Sequence, residues 1–580
     1  MSFLKLINFI TKLLIKRLFL RSDLNNPRWF PIKKDGEFYE GFNKPIFHNE
    51  EMFGFFVRYY KTNFDKKNLV NFILNFSKEF FFKFEIIKGK INNKNFNIKT
   101  IQDSILPLAS LSEENSTMKI ESKNQIKKIN LIRDKFTYLK LDKNVEYNFN
   151  IDSNFIVGKP LEIFNINQNK YNLVLMIFLD GFTFSKNESF LEFCPNIKKF
   201  FENGVVFKNN FCNAEWTLPS FPSHFCGLRQ QNHGFYHNKK FHIFRDDIKV
   251  LPELFKEANY LNFFLNSNPR ANPKYGYIRG FDRTIHKLNY EFDDMCNDVD
   301  DHLSVFKNRN NFIMMNVFDL HETDKNLPPF ENQANLNMDY LTQYISSNKN
   351  KRMPHKDKKY VHNKVEIDKY LVNLKRVDRI FSRLVHSIEK FYPKGKSLIT
   401  VVTDHGTQYT ESTSDLLSKS RMRVPWLLKA DDIAPAEIND FTENVDVFSS
   451  ILKICNLNKN GNLNAKFKNH FTGENNTDSI LPSIFGGTKK RDFVFMQSIY
   501  NRDPYFAKVL DNEIEYTLTS DRISEKGTIN IEKIKKTVKI LNKRINDNSD
   551  KIKKYEKFCL EQINNWNVSI KENKFKFYEN

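Results

Sequence analysis

Three short apolar runs, each ending in acidic or imidazole side chains, most constrain what this chain can fold into. The runs are NLVLMIFLDG from Asn172, FIMMNVFDLH from Phe312 and SLITVVTDHG from Ser397. A short continuous apolar run that opens into a polar loop is typical of a strand buried on both faces of a parallel sheet. The sequence therefore predicts a mostly parallel sheet, with polar side chains gathered beyond the carboxyl ends of its strands.

Helical patterns separate these predicted strands and two further ones, VVFKNNF and YLNFFLNS. The predicted helices are CPNIKKFFENG, VLPELFKEAN and KYLVNLKRVDRIFSRLVHSIEKF. Strands that alternate with helices predict an α/β domain with helices flanking the sheet. We assign this domain to residues 166–490. In residues 491–580, FVFMQSIY and EIEYTLTSD predict antiparallel strands and a basic helical tail follows, so we expect a smaller C-terminal α+β subdomain.

The segment before the α/β domain has a different pattern. Residues 23–165 contain a helical stretch from Lys67 to Phe82 and then alternating segments, FTYLKL and VEYNFNI, that predict strands. We expect a separate N-terminal module, rich in β structure, whose function cannot be read from the sequence. Residues 1–22 predict an amphipathic helix with Lys12, Lys16 and Arg17 opposite its apolar side. This helix is expected either on an anionic membrane or packed on its own protein.

Charge and hydropathy narrow the classes of partner. The formal net charge is +21, which favours anionic partners such as phosphate or sulfate esters or an anionic membrane surface. No nucleic-acid motif is present, so no nucleic-acid partner is expected. No run reaches the roughly 18 apolar residues that a bilayer span needs, and no cleavable signal pattern is recognised. We expect a cytoplasmic protein, or one held peripherally at the inner face of the membrane.

The polar residues at the strand ends suit a metal ion. Asp180 and Asp404 offer carboxylate oxygens, and His405 offers an imidazole nitrogen. This mixed set fits zinc, manganese or calcium. We therefore predict one divalent ion, with a second as the open alternative. Taken singly, each of these motifs also fits an ordinary polar turn.

A candidate nucleophile lies in AEWTLPSFPSHFCGLRQQNHG, residues 214–234. Thr217 lies just before Pro219, where a helix is expected to begin. A hydroxyl at a helix N-terminus can use the backbone N–H groups there to hold an anion. The alternative is structural, with Thr217 or Ser220 capping the helix.

The order of these motifs resembles the sulfatase family of the alkaline phosphatase superfamily. The resemblance covers roughly residues 171 to 525 and includes CPNIKKFFENGVVFKNNFCNAEWTLPSFPSHFCGLRQQNHG, RGFD, FDLHETD, TDHG, RVPWLLK and VDVFSSILKICNL. It implies that Asp180, Asp404 and His405 are metal ligands. It also implies that Thr217 is the nucleophile and a fourth ligand. His321 matches a family histidine that contacts the transferred group or its leaving oxygen, unless it is an ordinary loop histidine. Further candidates beside the ligands or against the substrate are Asp319, His233, His224 and Ser220.

The chain also departs from the family pattern. Formylglycine sulfatases need Cys or Ser at the position of Thr217, Phe221 replaces an arginine, and Gly181 replaces a second aspartate. The family's Gly-Lys-Trp-His motif is replaced around residues 265–268. A Thr nucleophile with Asp, Asp and His ligands looks more like alkaline phosphatases, nucleotide phosphodiesterases, phosphoethanolamine transferases and lipoteichoic acid synthases.

The predicted function is therefore a metal-dependent hydrolase or transferase of phosphate or sulfate esters, with a cell-envelope glycan or a lipid-linked molecule as candidate substrate. One alternative is a sulfate-ester hydrolase without formylglycine. The other is a catalytically silent scaffold that binds glycans or lipids.

Overall fold

The computed structural model describes most of the chain between residues 51 and 517. The described residues are 51–59, 82–110, 116–123, 125–131, 136–164, 169–183, 189–214, 216–228, 233, 235, 244, 247–271, 273–287, 290–321, 364–392, 396–407, 419–457, 493–497, 505–510 and 513–517. The predicted amphipathic helix at residues 1–22, the basic helical tail and nearly all of the helical stretch at residues 67–82 lie outside these ranges.

Eight strands precede the α/β region. They are β1 (Glu51–Tyr59), β2 (Phe82–Lys99), β3 (Ser104–Ser110), β4 (Ser116–Ser122), β5 (Gln125–Leu131), β6 (Thr137–Leu141), β7 (Glu146–Gly158) and β8 (Leu161–Glu162). Their pairings are all antiparallel, as the alternating pattern of apolar and polar residues predicts. A core that includes Leu106, Met118 and Phe149 lies between them.

The α/β region follows with eight more strands. They are β9 (Leu173–Leu179), β10 (Val205–Phe211), β11 (Leu261–Asn266), β12 (Arg283–His286), β13 (Asn311–Val317), β14 (Ser397–Val402), β15 (Trp426–Ala430) and β16 (Ala436–Glu443). The sheet order is β16-β10-β15-β14-β9-β13-β11-β12, and the run from β14 to β12 is parallel. The five strands that the sequence predicted here are confirmed.

Among the residues that the structure describes, seven α-helices accompany this sheet. They are α1 (Pro195–Phe201), α2 (Thr217–Cys226), α3 (Leu251–Glu257), α4 (Phe292–Phe306), α5 (Lys364–Phe391), α6 (Lys419–Met422) and α7 (Asn444–Ile454). Helices α2, α3 and α7 contribute to the core on one face of the sheet, whereas α1, α4 and α5 contribute to the core on the other. The α/β architecture with helices on both faces is confirmed.

Strand β9 shows why the apolar runs are continuous. Its alternate residues Val174, Met176 and Phe178 face the first core, and the residues between them face the second. All seven of its residues are buried. Because neither face of the strand meets water, no polar position interrupts the sequence. A fully buried Leu, Ile or Phe side chain contributes about 1.5–3 kcal/mol.

The N-terminal strands continue the same sheet. Strand β2 pairs antiparallel with β12, with Ile87 opposite Arg283. At this seam the buried carboxylate of Glu85 pairs with the Arg283 guanidinium and accepts a hydrogen bond from the Tyr138 hydroxyl. The sequence predicts the β structure of this region, but no local pattern predicts that it extends the α/β sheet.

The C-terminal region contributes a small separate sheet. Strands β17 (Phe493–Gln497), β18 (Tyr505–Leu510) and β19 (Glu513–Thr517) pair antiparallel. The first and last were predicted, and β18 was not. In the part of the chain that the structure describes, no helix is long and apolar enough to cross a membrane.

Candidate active site

Two strand ends and one helix start meet at the carboxyl edge of the parallel strands. Asp180 directly follows β9, Asp404 and His405 follow β14, and Thr217 is the first residue of α2. All four are buried. The Thr217 hydroxyl lies 3.3 Å from Asp180 Oδ2 and 3.4 Å from His405 Nε2. The structure thus brings together the nucleophile and the three ligands that the sequence nominated.

The ring of His405 directs its Nδ1 atom to the backbone and its Nε2 atom to the two aspartates. Its Nδ1 lies 3.0 Å from the carbonyl oxygen of Gly406. Because a carbonyl can only accept, Nδ1 carries the proton and Nε2 keeps its lone pair. Burial lowers the pKa of His405, opposed by the charge of Asp404, so the ring is neutral at pH 7.

Two carboxylate oxygens flank that nitrogen. Asp180 Oδ1 is 3.5 Å and Asp404 Oδ2 is 3.6 Å from His405 Nε2. Both oxygens are buried, and neither finds a hydrogen-bond partner among the residues that the structure describes. Burial, and then the charge of Asp404, raise the pKa of Asp180 well above its usual range. Buried carboxylate oxygens that lack donors and face a lone pair fit a cation, so this donor set suits a divalent metal.

His321 lies at the same place. One ligand atom from each of Asp180, His321 and His405 falls within 4.8 Å of the other two. His321 is half-buried, and its ring stacks on Phe318 with 4.3 Å between ring centroids. Its position is compatible with either a metal ligand or a contact to the transferred group.

Asn268 is a site residue that the sequence reasoning missed. Its Nδ2 donates to Asp180 Oδ2 and lies 3.4 Å from the Thr217 hydroxyl. Asn268 follows β11 by two residues, in the stretch that replaces the Gly-Lys-Trp-His motif. Its location at the end of a buried strand was the signal that could have identified it.

Ser220 and Asn444 form hydrogen bonds with the backbone of the loop that carries Asp404. The Ser220 hydroxyl donates a 2.6 Å hydrogen bond to the carbonyl oxygen of Asp404. Asn444 Nδ2 donates to Ser220 Oγ and to the carbonyl oxygens of Thr403 and Asp404 at 3.2–3.3 Å. These bonds tie α2 and α7 to the loop after β14. Ser220 therefore positions the Asp404 loop, and Asn444 was not anticipated from the sequence.

The other nominated residues have structural contacts. Asp319 Oδ1 accepts a 2.7 Å ion-paired hydrogen bond from Arg376. The His233 ring bridges the Pro219 carbonyl oxygen at 3.2 Å and the Phe235 backbone N–H at 3.0 Å. His224 packs edge-on against Phe178 with 4.9 Å between ring centroids, and burial lowers its pKa to about 3. None of the three belongs to the group of residues around His405 Nε2.

Gly181 has a backbone reason to depart from the family pattern. Its φ is +80°, in the left-handed region, where a side chain would be strained. The chain turns there directly beneath the backbone of His321. This backbone conformation disfavours a second aspartate at position 181.

The comparisons with known proteins agree with this fold. Residues 172–457 match the family model described as Sulfatase, and this domain belongs to the sulfatase family. This part of the chain is accordingly sulfatase-like. Membership supports a hydrolase that acts on sulfate esters as the class of enzyme, and the family generally uses a metal ion. No curated protein sequence matches the chain.

Solved structures give a weaker likeness. Ps i-CgsB in complex with a neocarrahexaose is 14% identical, with a TM-score of 0.46 over 65% of this chain and 93% of that one. BT4656, solved with its substrate D-glucosamine-2-N,6-O-disulfate, is 14% identical. Its TM-score is 0.43, and the match covers 67% of this chain and 98% of that one. An alkaline phosphatase superfamily protein from Vibrio parahaemolyticus is 12% identical. Its TM-score is 0.41, and the match covers 69% of this chain and 88% of that one. These values are too low to transfer a substrate.

Proposed function

We propose that the protein is a metal-dependent ester hydrolase or transferase that acts through Thr217, with phosphate esters as its first substrate class. The observation that supports this is the Thr217 hydroxyl within 3.4 Å of both Asp180 and His405, at the start of a buried helix. A threonine cannot be converted to formylglycine, so a direct attack by its hydroxyl is the simplest chemistry.

In the first step, Thr217 Oγ1 forms a bond to the phosphorus while the bond from phosphorus to the leaving oxygen breaks. The Thr217 proton passes to Asp180 Oδ2, which already accepts its hydrogen bond at 3.3 Å, so that His405 Nε2 keeps its lone pair. His321 protonates the leaving oxygen, which departs as an alcohol. In the second step, water or an acceptor hydroxyl attacks the phosphorus and gives its proton to His321, while the bond from phosphorus to Thr217 Oγ1 breaks and Oγ1 takes its proton back from Asp180 Oδ2.

Asp180, Asp404 and His405 would hold the divalent ion, with Thr217 beside it. When bound, such an ion supplies positive charge that offsets the charge on the transferred oxygens. Two roles of the protein do not depend on the ion. The α2 N-terminus presents its positive dipole end to the anion, and Ser220 and Asn444 keep the Asp404 loop in register.

The second candidate function is sulfate-ester hydrolysis without formylglycine, which the family match favours. The same nucleophile and ligands would serve it, with sulfur in place of phosphorus. A silent scaffold that binds glycans or lipids is the third outcome, and it need not hold a stoichiometric ion.

An activity screen separates the three. The purified full chain is assayed on an aryl phosphate, an aryl phosphodiester and an aryl sulfate, each with zinc, manganese or calcium, and a phosphate ester is expected to turn over. A mass increase on the peptide that carries Thr217 after acid quench would support the covalent step. Cleavage of the aryl sulfate alone favours the second candidate. No turnover and no bound metal under any condition would contradict both enzymes.

A further inference from the structure

Arg270 is a charged residue beside the nucleophile that the proposed mechanism does not yet use. It lies in the 3₁₀ turn Pro269–Ala271, just beyond the carboxyl end of β11, and is half-buried. Its backbone N–H donates a 2.7 Å hydrogen bond to Asn268 Oδ1. The Nδ2 atom of the same amide lies 3.4 Å from the Thr217 hydroxyl. One side chain therefore connects the Arg270 backbone to the nucleophile.

The Arg270 guanidinium lies over the ring of Trp216. The Arg270 guanidinium carbon lies 5.4 Å from the centre of the Trp216 ring. Trp216 immediately precedes Thr217 and is half-buried. A guanidinium over an indole face keeps its charge and leaves the N–H groups at its edge available to oxyanions.

The charge of Arg270 reaches two of the proposed ligands. Its positive charge interacts with the Asp180 carboxylate and with the His405 ring. Arg421 acts on His405 as well, and its backbone carbonyl accepts a 2.8 Å hydrogen bond from Gly406. Of these two arginines, Arg270 is the one tied to the start of α2.

The positions where the family carries cationic residues hold none here. Phe221 takes the arginine position and is buried among the rings of Phe178 and Tyr277. Asn266 and Ser267 are buried and uncharged. Neither of these positions therefore supplies a cation to an anionic group bound at Thr217.

We infer that Arg270 binds the non-bridging oxygens of the transferred phosphoryl or sulfuryl group, oriented by Asn268 and Trp216. This inference rests on the proposed function, because it takes Thr217 as the place where the group is transferred. The planar guanidinium can donate two parallel hydrogen bonds to an oxyanion, and it adds positive charge beside Thr217. Arg270 thereby favours a dianionic monoester over a monoanionic diester.

Calorimetric titration with inorganic phosphate and with inorganic sulfate tests this directly, because it needs no turnover. The full chain is titrated with and without divalent ion. Arg270→Gln is expected to weaken binding of the preferred anion about tenfold or more. Arg270→Lys is expected to weaken it less, because lysine keeps the positive charge but lacks the two parallel N–H donors of the guanidinium. The matched control is Arg383→Gln, an exposed arginine on α5, which should bind like wild type. Thermal unfolding of each variant checks that it is folded.

Kinetics add an independent readout. Arg270→Gln should lower kcat/KM for an aryl phosphate monoester by about 10²-fold, and for an aryl phosphodiester clearly less. If Arg270→Gln does not fold, Arg270→Lys carries the test, and it must still weaken anion binding by several-fold.

The outcomes separate this inference from the proposed nucleophile. Thr217→Ala with full turnover, together with lost anion binding in Arg270→Gln, would remove the nucleophile and keep the anion site. Wild-type affinity in both Arg270 variants overturns the inference. Loss of anion binding in Arg421→Gln alone, or a wild type that binds neither anion, also overturns it.

Discussion

Thr217 and Asp180 are joined by a 3.3 Å hydrogen bond from the threonine hydroxyl to Oδ2, across 37 positions of sequence. The bond connects the start of α2 to the end of β9. It places the hydroxyl where two buried carboxylates and an imidazole converge. The chemical expectations for this protein depend on that contact.

Thr217→Ala should abolish turnover, by at least about 10³-fold, because removal of a nucleophile removes the covalent pathway. Thr217→Ser should retain measurable activity, since it keeps the attacking oxygen. Steady-state rates on the substrate found by the screen give the comparison. Ser223→Ala is the matched control, a buried hydroxyl farther along the same helix, and should remain near wild type. Full activity in Thr217→Ala would point to Ser220 or Ser223 instead.

Asp404→Asn and His405→Ala should each lower bound metal and activity together. Each change removes a ligand, and we expect metal affinity to fall by at least about tenfold. Elemental analysis of purified protein provides the measurement. Asp319→Asn is the control: it breaks an ion pair with Arg376 but should leave the metal content unchanged. Wild-type metal in both ligand variants would mean that the site lies elsewhere.

Glu85→Gln should destabilise the protein by about 3 kcal/mol, because it leaves the Arg283 guanidinium, whose side chain is only 14% exposed, without its charge partner. The pair lies at the seam between β2 and β12, so the loss reports on whether the N-terminal strands fold with the α/β sheet. Urea denaturation measures it. Glu437→Gln removes a surface pair with Lys208 and should cost less than about 1 kcal/mol. Equal losses of unfolding free energy in Glu85→Gln and Glu437→Gln would contradict the expectation that the N-terminal strands fold with the α/β sheet.

Stability should fall as the pH drops below about 6.5, in part because of His224. Burial lowers its pKa to about 3 in the folded protein, whereas an unfolded histidine titrates near 6.5. Well above pH 6.5 the His224 ring is neutral in both the folded and the unfolded state, so it does not change the free energy of unfolding. Between pH 6.5 and 3 only the unfolded chain takes up the proton, which at pH 5.5 costs about 1.4 kcal/mol.

His224→Phe keeps a ring against Phe178 and removes this proton. The loss of unfolding free energy from pH 7.5 to 5.5 should therefore be smaller in the variant by about that amount. His302, whose pKa burial also lowers to about 3, contributes equally to both proteins and cancels. An unchanged pH dependence would show that His224 titrates normally.

The N-terminal segment, which lies outside the described residues, carries the membrane prediction. Wild-type protein should co-sediment with anionic vesicles at low salt, because apolar burial and basic charge act together. Deletion of residues 2–20 should weaken this without loss of activity on a small soluble ester. Equal sedimentation of both proteins would assign the binding to the general basic surface. An insoluble deletion variant would assign the helix to the protein core.

The elements that the sequence predicted are those with a strong local signal. Strands β9, β11, β13 and β14 are short and mostly apolar, which is the pattern expected of strands buried on both faces. Strand β18 was missed although turn residues bound YFAKVL on both sides, Asp503 and Pro504 before it and Asp511 and Asn512 after it. The pairing of β2 with β12 was missed because pairing of segments almost 200 positions apart has no local signature.

The sequence by itself determined that Asp180, Asp404 and His405 lie at one edge of the sheet, because the carboxyl ends of parallel strands meet there. The order of motifs around Thr217 added the nucleophile. Only the tertiary structure decided which neighbouring polar residues join them. Asp319 turns to Arg376, whereas Asn268 and Asn444 turn to the site. The direction of a loop side chain depends on what packs against it, and those partners come from distant parts of the chain.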